Sequence, residues 1–416
     1  MAAVAEGAGG PSALPAGAPP KVLVVGHTYM VRMNQRKLEA VWRGGLAEPA
    51  LLAPARFGPN EWGRVFEFEP PAFPMPAFAA PVFFGRRVGG YFYSWHRLRR
   101  AIRAVRPDLL HVEAEPYSLV ALQCALAARL CGLPLSFFTW ENVDRRLSPA
   151  RRLSRRFVLR SARLAVAGNE AAAGLLAGYG YRGASVVLPQ LGIEAADFPP
   201  RAAEPDGEAL RVGFVGRLIP EKGVDLLLRA AARLARDAAT ARSLRLVICG
   251  GGSDEARLRA LAAELGIAGR VEWLPAVPHE GVAEVLAGLH LLVLPSRSSP
   301  TWQEQFGHVL IEAMAVGVPV VGARSGAIPE VIGRDDCLFA EEDDAALAAL
   351  LARARDEPAW REELARRGAE RVKKLYTHDR VAEALARAWR ACLHQGRPVA
   401  LEPAAARMAG ERGSGG

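Results

Sequence analysis

The chain has 416 residues, of which half are hydrophobic and 23% are charged, and this balance excludes a disordered or fibrous protein. Its length predicts two or three domains. The formal net charge of +9 favours an anionic partner, which leaves nucleic acid, a membrane surface and a phosphorylated ligand open.

Targeting and redox signals are sparse. The five cysteines are scattered and contain no Cys-x-x-Cys pair, which predicts reduced core residues in a cytoplasmic protein. No signal peptide is predicted, because the N-terminus lacks a basic start followed by an apolar run. No membrane span is predicted either, because the most apolar stretch, 120–140, is interrupted by polar residues, Gly132 and Pro134.

The first half of the chain alternates short apolar runs with helical patterns. Residues 1–20 consist mainly of Ala, Gly and Pro and predict a disordered tail. Alternation of this kind predicts parallel strands joined by crossover helices, hence a Rossmann-like domain over 21–200. The predicted strands are 22–25, 109–112, 135–138, 164–167 and 186–188.

The alternation restarts after the Pro- and acid-rich stretch 197–206, which we interpret as an interdomain linker. A second doubly wound domain is predicted over 201–377, followed by a helix over 378–395 and a disordered tail over 396–416. Three helical patterns, from Asp343, Ala359 and His378, close the ordered chain. The predicted strands are 211–215, 244–249, 271–273, 289–294, 318–321 and 337–339.

The first strand of the second domain ends at Gly216, followed by Arg217 and, five positions on, Lys222. Ligands of doubly wound sheets bind beyond the carboxyl ends of the strands, so both cations are placed to neutralise a diphosphate. The alternative interpretation is an ordinary solvated turn between a strand and a helix, in which both residues are surface charges.

A second motif runs from Glu304 through Gly307 to Glu312, where a helical pattern begins that Gly317 should end. Amide groups at such a helix N-terminus bind anions. Glu304 and Glu312 then flank the anion as acceptors for sugar hydroxyl groups, and neither is assigned a partner within the protein. A capped surface helix with two solvated glutamates is the alternative.

These residues, with the glycines at 250–252 and the run Gly326-Ala-Ile-Pro-Glu-Val-Ile332, resemble the family-four retaining glycosyltransferases over residues 205–395. The resemblance implies catalytic roles for Arg217 and Lys222 at the donor diphosphate and for Glu304 at the transferred sugar, with Glu312 at the ribose. It places the nucleobase near Val277. The implied donor-binding residues are Gly216, Val277, Phe306, Gly307, His308, Val309 and Glu312.

The resemblance implies a GT-B fold, an α/β architecture in which two doubly wound Rossmann-like domains face a cleft. The domain over 21–200 would lie on the acceptor side, joined by the crossover helix 378–395, and the domain over 201–377 would bind the donor. The expected activity is retaining, metal-independent transfer of a hexosyl unit from a nucleotide-diphosphate sugar, which is a substrate, so no cofactor is expected.

The acceptor is left open between a lipid-linked molecule, a cell-envelope glycan precursor and another sugar or small molecule. The expected location is the cytoplasm, with peripheral contact at the inner face of the membrane as an option. The basic segments 97–106 and 145–163 are candidates for that contact, and solvated helix faces are the alternative. Nothing beyond net charge supports nucleic-acid binding.

The first half matches the family less closely. Ala114 stands where many relatives have a histidine that reaches the transferred sugar, and the usual glycine-rich loop after the first strand is replaced by residues 26–30. His27 follows the first predicted strand, and His111 ends another predicted strand. A structural role is the simpler interpretation of each histidine. The residue of this domain that faces the sugar stays unassigned.

Two other functions are compatible with the sequence: a GT-B-like sugar-nucleotide epimerase and a non-catalytic nucleotide-sugar-binding protein. A metal site is not predicted, because the chain has no Asp-x-Asp motif and the acidic run 341–344 precedes a helical pattern. Acidic residues at that position cap the helix and offset its dipole.

Overall fold

The computed structural model describes residues 18–59, 65–205, 209–235 and 244–394. These described residues form two compact units: unit 1 comprises those within 18–168, 172–191 and 381–394, and unit 2 comprises those within 169–171 and 192–380. The predicted tails lie outside the described residues, except for residues 18–20.

Unit 1 is built on a seven-stranded parallel sheet with the strand order β11-β10-β9-β8-β1-β2-β5. All five strands predicted for this half are present. The strands of this sheet are β1 (Lys21–Gly26), β2 (Glu48–Pro54), β5 (Ala77–Ala80), β8 (Leu109–Glu113), β9 (Leu135–Thr139), β10 (Leu164–Ala167) and β11 (Ala184–Val187).

Three helices of unit 1 begin at serine residues whose side chains cap them. Ser94, Ser118 and Ser148 each accept a hydrogen bond from a backbone N–H of the first turn, as N-cap residues do. The helices are α1 (Arg32–Arg43), α2 (Trp95–Val105), α3 (Leu119–Cys131), α4 (Pro149–Ser161) and α5 (Glu170–Gly178), whose first two residues are assigned to unit 2.

Two small antiparallel pairs accompany the large sheet of unit 1. One pairs β3 (Arg56–Phe57) with β4 (Phe66–Glu67), and the other pairs β6 (Val82–Phe83) with β7 (Phe92–Tyr93). The sequence did not predict these elements, nor β2 and β5 of the large sheet.

Unit 2 is built on a six-stranded parallel sheet with the order β14-β13-β12-β15-β16-β17. The six strands predicted for this half are all present, with ends that shift by one or two residues. They are β12 (Leu210–Val215), β13 (Leu244–Cys249), β14 (Val271–Leu274), β15 (Leu291–Leu294), β16 (Val320–Ala323) and β17 (Leu338–Phe339).

The helices of unit 2 include the first two of the three predicted closing helices. They are α6 (Val224–Ala235), α7 (Glu255–Glu264), α8 (His279–Ala287), α9 (His308–Val316), α10 (Ile328–Ile332), α11 (Asp344–Asp356) and α12 (Pro358–Leu375).

The interpretation of 197–206 as a linker is wrong for its described part, residues 197–205. Phe198 is buried, and the Arg201 N–H donates to the carbonyl of Val316 at 2.9 Å. The Arg361 guanidinium also donates to Glu204 at 2.8 Å. The stretch is therefore packed within unit 2.

The last helix, α13 (His378–His394), contributes to the core of unit 1. Leu385 and Trp389 are fully or almost fully buried there, and the Trp389 ring lies 5.3 Å from the imidazole of His111. No helix in the described ranges is both long and apolar enough to cross a bilayer. Four cysteines are buried as predicted, but Cys131 is exposed at the end of α3.

Candidate functional site

The predicted donor-site residues and the glycine motifs at 250–252 and 326–332 follow neighbouring strands of the unit 2 sheet. Because these strands are parallel, the loops that follow β12, β13, β15 and β16 leave the same edge of the sheet. The loops are joined by backbone contacts that depend on glycine.

The loops after β12 and β13 are hydrogen-bonded to each other. The Gly216 N–H donates to the carbonyl of Cys249 at 3.0 Å, and the Leu218 N–H donates to that of Gly251 at 2.9 Å. Gly250 has φ +150, and a Cβ there would lie 1.8 Å from the Gly216 oxygen. Only glycine permits this approach, which fixes the backbone on either side of the exposed Arg217.

Lys222 and Glu304, predicted from separate motifs, contact each other directly. The Lys222 Nζ lies 2.5 Å from the Glu304 Oε2, and the Ser296 hydroxyl donates to the same oxygen at 2.8 Å. Both charged side chains are largely buried, with 14% and 8% of their surfaces exposed. The expectation that Glu304 has no partner in the protein is wrong, because an ammonium and a hydroxyl already hold its carboxylate.

Glycines in the loops after β12 and β16 hold this pair in place. Gly223 has φ +65, and a Cβ there would lie 2.0 Å from the carbonyl oxygen of Pro295, next to Ser296. Gly326 has φ +50, and its Cβ would lie 2.1 Å from the carbonyl oxygen of Glu304, which accepts a hydrogen bond from the Ala327 N–H at 3.0 Å. The Gly326-Ala327 turn thus supports the backbone of Glu304.

Helix α9 begins and ends at the glycines that the sequence indicated. Gly307 is its N-cap with φ +80, and Gly317 ends it with φ +84. At the start of the helix, the ring of Phe306 packs on those of His308 and Tyr376, at 4.9 and 5.6 Å between centroids. This end of the helix is therefore fixed by side-chain packing.

Burial changes the protonation of two side chains on α9. It lowers the pKa of His308 to about 4, so this imidazole is neutral at pH 7. It raises the pKa of Glu312, in the second turn, to about 7, so this carboxyl titrates near neutral pH. Val309 is half-buried between them.

Val277 lies at the same edge of the sheet, between the end of β14 and the start of α8. Nearby, the Cys249 thiol at the end of β13 donates to the carbonyl of Pro275 at 3.3 Å. The described residues therefore bring Gly216, Val277, Glu304 and the start of α9 to one edge of unit 2.

Sequence reasoning missed two polar groups beside this edge. The Asn169 side chain donates to the carbonyl of Gln305 at 2.8 Å, and the Glu170 N–H donates to the Glu330 carboxylate at 3.0 Å. Residues 169–171 are far from Gln305 in sequence. The only sequence feature that could have indicated them is their position at the start of a helical pattern.

The acidic run 341–344 is held by hydrogen bonds and ion pairs. Asp343 caps α11 by accepting from the Ala346 N–H at 2.8 Å, which confirms the capping prediction. Glu341 accepts from the Ser298 N–H at 2.8 Å and from its hydroxyl at 2.6 Å, and Glu342 pairs with Arg297. Among the described residues, no group of three or more His, Cys, Asp or Glu side chains could hold a metal ion.

In unit 1, a buried network surrounds Glu113. Its carboxylate pairs with the Lys37 ammonium at 2.7 Å and accepts from the Gln190 amide at 2.8 Å. His111 Nδ1 lies 2.7 Å from the Ser136 hydroxyl, and its Nε2 lies 3.4 Å from Glu113. These contacts give His111 a structural role. Ala114 is buried and brings no polar side chain.

Family models match each part of the chain. Residues 198–374 match the family described as Glycosyl transferases group 1, and residues 39–192 match the Glycosyl transferase 4-like domain. The predicted resemblance to family-four glycosyltransferases is therefore confirmed.

Curated relatives match part of the chain. A D-inositol 3-phosphate glycosyltransferase of Acidothermus cellulolyticus is 36% identical over 203 residues, which are 47% of this chain and 44% of the relative. The enzyme of the same name from Thermomonospora curvata is 41% identical over 160 residues, or 36% of each protein. The matches thus span less than half the length of these relatives.

Solved structures match most of the chain. Sucrose-phosphate synthase from Thermosynechococcus elongatus has a TM-score of 0.65 at 18% identity, covering 90% of this chain and 98% of that one. The Anabaena protein HepE, crystallised with UDP and glucose, has a TM-score of 0.63 at 17% identity, covering 89% and 100%. These likenesses confirm the GT-B fold class, with two Rossmann-like α/β domains.

Proposed function

We propose that this chain, whose two parts belong to the glycosyl transferase 4-like and glycosyl transferases group 1 families, transfers a hexosyl unit from a nucleotide-diphosphate sugar to an acceptor. The proposal includes retention of anomeric configuration and independence of metal ions. The acceptor is proposed to be lipid-linked or a cell-envelope glycan precursor, met at the inner face of the membrane.

The contact between Lys222 and Glu304 is the observation that carries this proposal. It places a cation suited to a diphosphate beside a carboxylate suited to a sugar hydroxyl, at the edge of the sheet where such folds bind ligands. The exposed Arg217 and the N-terminus of α9 supply further positive charge for the leaving diphosphate.

The proposed transfer breaks the bond between the anomeric carbon and the diphosphate and forms one from that carbon to the acceptor hydroxyl oxygen. The acceptor hydroxyl proton goes to the departing diphosphate, so the step requires no base from the protein. Breaking the bond between the anomeric carbon and the diphosphate builds negative charge on the leaving group and positive charge on the sugar. Arg217 and Lys222 would stabilise the negative charge on the leaving group, and the Glu304 carboxylate would stabilise the positive charge on the sugar. Glu312 would accept hydrogen bonds from the ribose.

A donor screen by thermal denaturation tests the proposal. A nucleotide sugar at one hundred times its dissociation constant should add about 2.7 kcal/mol of apparent stability. The stabilisation should be unchanged in EDTA and should vanish when both Arg217 and Lys222 are replaced by glutamine. Stabilisation that requires magnesium would contradict the metal-independent part, and failure of every nucleotide sugar would contradict the whole proposal.

A further inference from the structure

The loop after β15 carries an aromatic side chain for which the proposed chemistry gives no role. Trp302 lies two positions before Glu304 and is half-buried. The Lys222 Nζ lies over the face of its indole ring, 5.4 Å from the ring centroid. An ammonium within about 6 Å of a ring centroid is attracted to the negative face of the ring, and tryptophan attracts it most strongly. The contact is therefore a cation–π interaction.

The ammonium group of Lys222 thus contacts two side chains from the same loop. It pairs with the Glu304 carboxylate at 2.5 Å and lies over the Trp302 ring. Within the described ranges, Glu304 is the one hydrogen-bond acceptor of this ammonium. Because an ammonium has three N–H groups, it can donate to a phosphate oxygen while both contacts persist. The two contacts therefore hold Lys222 without exhausting its hydrogen-bond donors.

Backbone hydrogen bonds join the segments that carry Trp302 and Lys222. The Ser299 N–H donates to the carbonyl of Trp302 at 2.7 Å, and the Trp302 N–H donates back to that of Ser299 at 3.3 Å. In the same loop, the Arg297 N–H donates to the carbonyl of Glu221, the residue before Lys222, at 2.9 Å. The ring and the ammonium are therefore brought together by bonded backbone segments and not by two mobile side chains alone.

The proposed reaction makes different demands on the two partners of Lys222. The Glu304 Oε2 accepts from both Lys222 and the Ser296 hydroxyl, yet the Glu304 carboxylate must also orient a hydroxyl group of the sugar. The Trp302 ring has no such second task, and it brings no negative charge to repel a diphosphate. A lysine side chain released by Glu304 would regain rotamer freedom, which diphosphate binding would then have to remove. A neutral partner that keeps Lys222 in place avoids that cost.

We propose that Trp302 is a positioning residue that acts through Lys222. The face of its ring holds the ammonium at the donor site, so that Lys222 meets the diphosphate while the Glu304 carboxylate turns to the sugar. The part of this inference that concerns the sugar rests on the proposed function. The hold on Lys222, and through it on a diphosphate, does not.

Calorimetric titration of the full chain with inorganic pyrophosphate tests the inference without a sugar or a nucleobase. Trp302→Leu should weaken pyrophosphate binding about fivefold, as the loss of one cation–π contact predicts, and Trp302→Phe should restore part of the affinity. In a Lys222→Gln background, Trp302→Leu should have no further effect, because the ring acts through the ammonium. Equal effects of Trp302→Leu with and without Lys222 would overturn the inference, as would wild-type affinity of Trp302→Leu itself.

Fluorinated tryptophans introduced at position 302 alone separate the charge distribution of the ring from its shape. Fluorine withdraws electron density from the ring face and changes its size little, so pyrophosphate affinity should fall with each added fluorine atom. Trp360 provides the matched control, because the Arg353 guanidinium lies over its ring, 4.5 Å from the centroid. Its indole N–H donates to Asp336, which precedes β17 and therefore lies at the opposite edge of the unit 2 sheet. The same series at Trp360 should leave the affinity unchanged.

Equal pyrophosphate affinities across the fluorinated series at position 302 would overturn the inference, because a packing role does not depend on electron density. Loss of nucleotide-sugar affinity with unchanged pyrophosphate affinity would also overturn it, since the ring would then contact the sugar or the nucleobase. A falling series without sugar transfer to any acceptor would sink the proposed function and leave the role of Trp302 intact. Sugar transfer with a flat series would sink the role of Trp302 alone.

Discussion

The positive charge of the Lys222 ammonium is already paired with the Glu304 carboxylate. A bound diphosphate must therefore share the Lys222 ammonium with Glu304. Removing one partner of a mostly buried pair leaves an uncompensated charge, which costs more than the pair itself contributes. Glu304 is therefore both a candidate catalytic carboxylate and a group that holds Lys222.

Replacing Glu304 with glutamine should lower kcat by about 10² to 10³, because an interaction strongest in the transition state is lost. It should also lower the free energy of unfolding by about 1–3 kcal/mol, because Lys222 loses its charged partner. Steady-state kinetics and urea denaturation measure the two effects. Wild-type stability with full loss of kcat would show that the ion pair contributes nothing to folding.

Glu312 should instead act on donor binding. The variant Glu312→Gln should raise the donor KM about tenfold, as expected for a lost hydrogen bond to a charged group worth roughly 1.5 kcal/mol. Because burial raises its pKa to about 7, the wild-type KM should rise as the pH falls through about 7. The variant should lose this dependence, and a profile shared by both proteins would contradict the assignment.

The sign of the stability effect at Glu312 is opposite to that at Glu304. A carboxyl with a pKa raised on folding stabilises the protein fully below its unfolded pKa of 4.5, and this contribution is lost as the pH rises through about 7. Glu312→Gln should therefore keep or raise the melting temperature at pH 8. A lower melting temperature there would indicate a structural role.

The charged members of the site could be predicted, but their pairing could not. Arginine, lysine and glutamate next to strand ends and a helix start are visible in the sequence. Lys222 and Glu304 are 82 positions apart, and the contact depends on how loops after β12 and β15 pack. The contact of Ser296 with Glu304 could not be predicted either, since a lone serine after a strand is common.

At the scale of elements, glycines let neighbouring loops approach within hydrogen-bonding distance. Gly326 and Gly317 provide a matched pair, because both have positive φ but only Gly326 faces a close neighbour. A Cβ at Gly326 would lie 2.1 Å from the Glu304 carbonyl oxygen, whereas one at Gly317 would meet nothing within 4 Å.

Alanine at either glycine should cost about 1 kcal/mol of stability from backbone strain. Only Gly326→Ala should displace Glu304, and it should therefore lower kcat by tenfold or more, since misplacement by about 1 Å can cost on the order of 10²-fold. The kcat of both variants, measured at a temperature where both are folded, tests whether only Gly326→Ala impairs catalysis. Equal kcat values would mean that the Gly326 turn does not position Glu304.

Two of the strands that the sequence analysis missed, β2 and β5, contain or are flanked by proline. Strand β2 contains Pro49 and Pro54, and Pro76 and Pro81 flank the short strand β5. Proline disfavours a strand in a sequence-based argument, but it is tolerated at strand ends and sheet edges. Strand β5 is an edge strand of unit 1.

At the scale of the whole molecule, unit 1 is assembled from distant parts of the chain. The last helix, α13, supplies Leu385 and Trp389 to the core of that unit, and the Arg390 guanidinium donates to the carbonyl of Leu46 at 2.8 Å. Unit 1 can therefore complete its core only when the last helix has been added.

Replacing Trp389 with alanine should lower the free energy of unfolding by about 3–5 kcal/mol, because a large side chain is removed from a packed core. Arg387 lies on the same helix but is exposed, so Arg387→Ala should change stability by less than about 0.5 kcal/mol. Urea denaturation of both variants provides the comparison. Similar midpoints would show that α13 is dispensable for unit 1.

The central claim is sugar transfer with retention at the unit 2 site, and the anomeric form of the released sugar tests it most directly. The purified chain is incubated with the α-linked nucleotide sugar that stabilises it most, and proton NMR follows the first sugar to appear. The account predicts the α-anomer, formed at a rate that falls by about 10² or more in Glu304→Gln. Release of the β-anomer, or no turnover by the wild type with any acceptor or water, would contradict it.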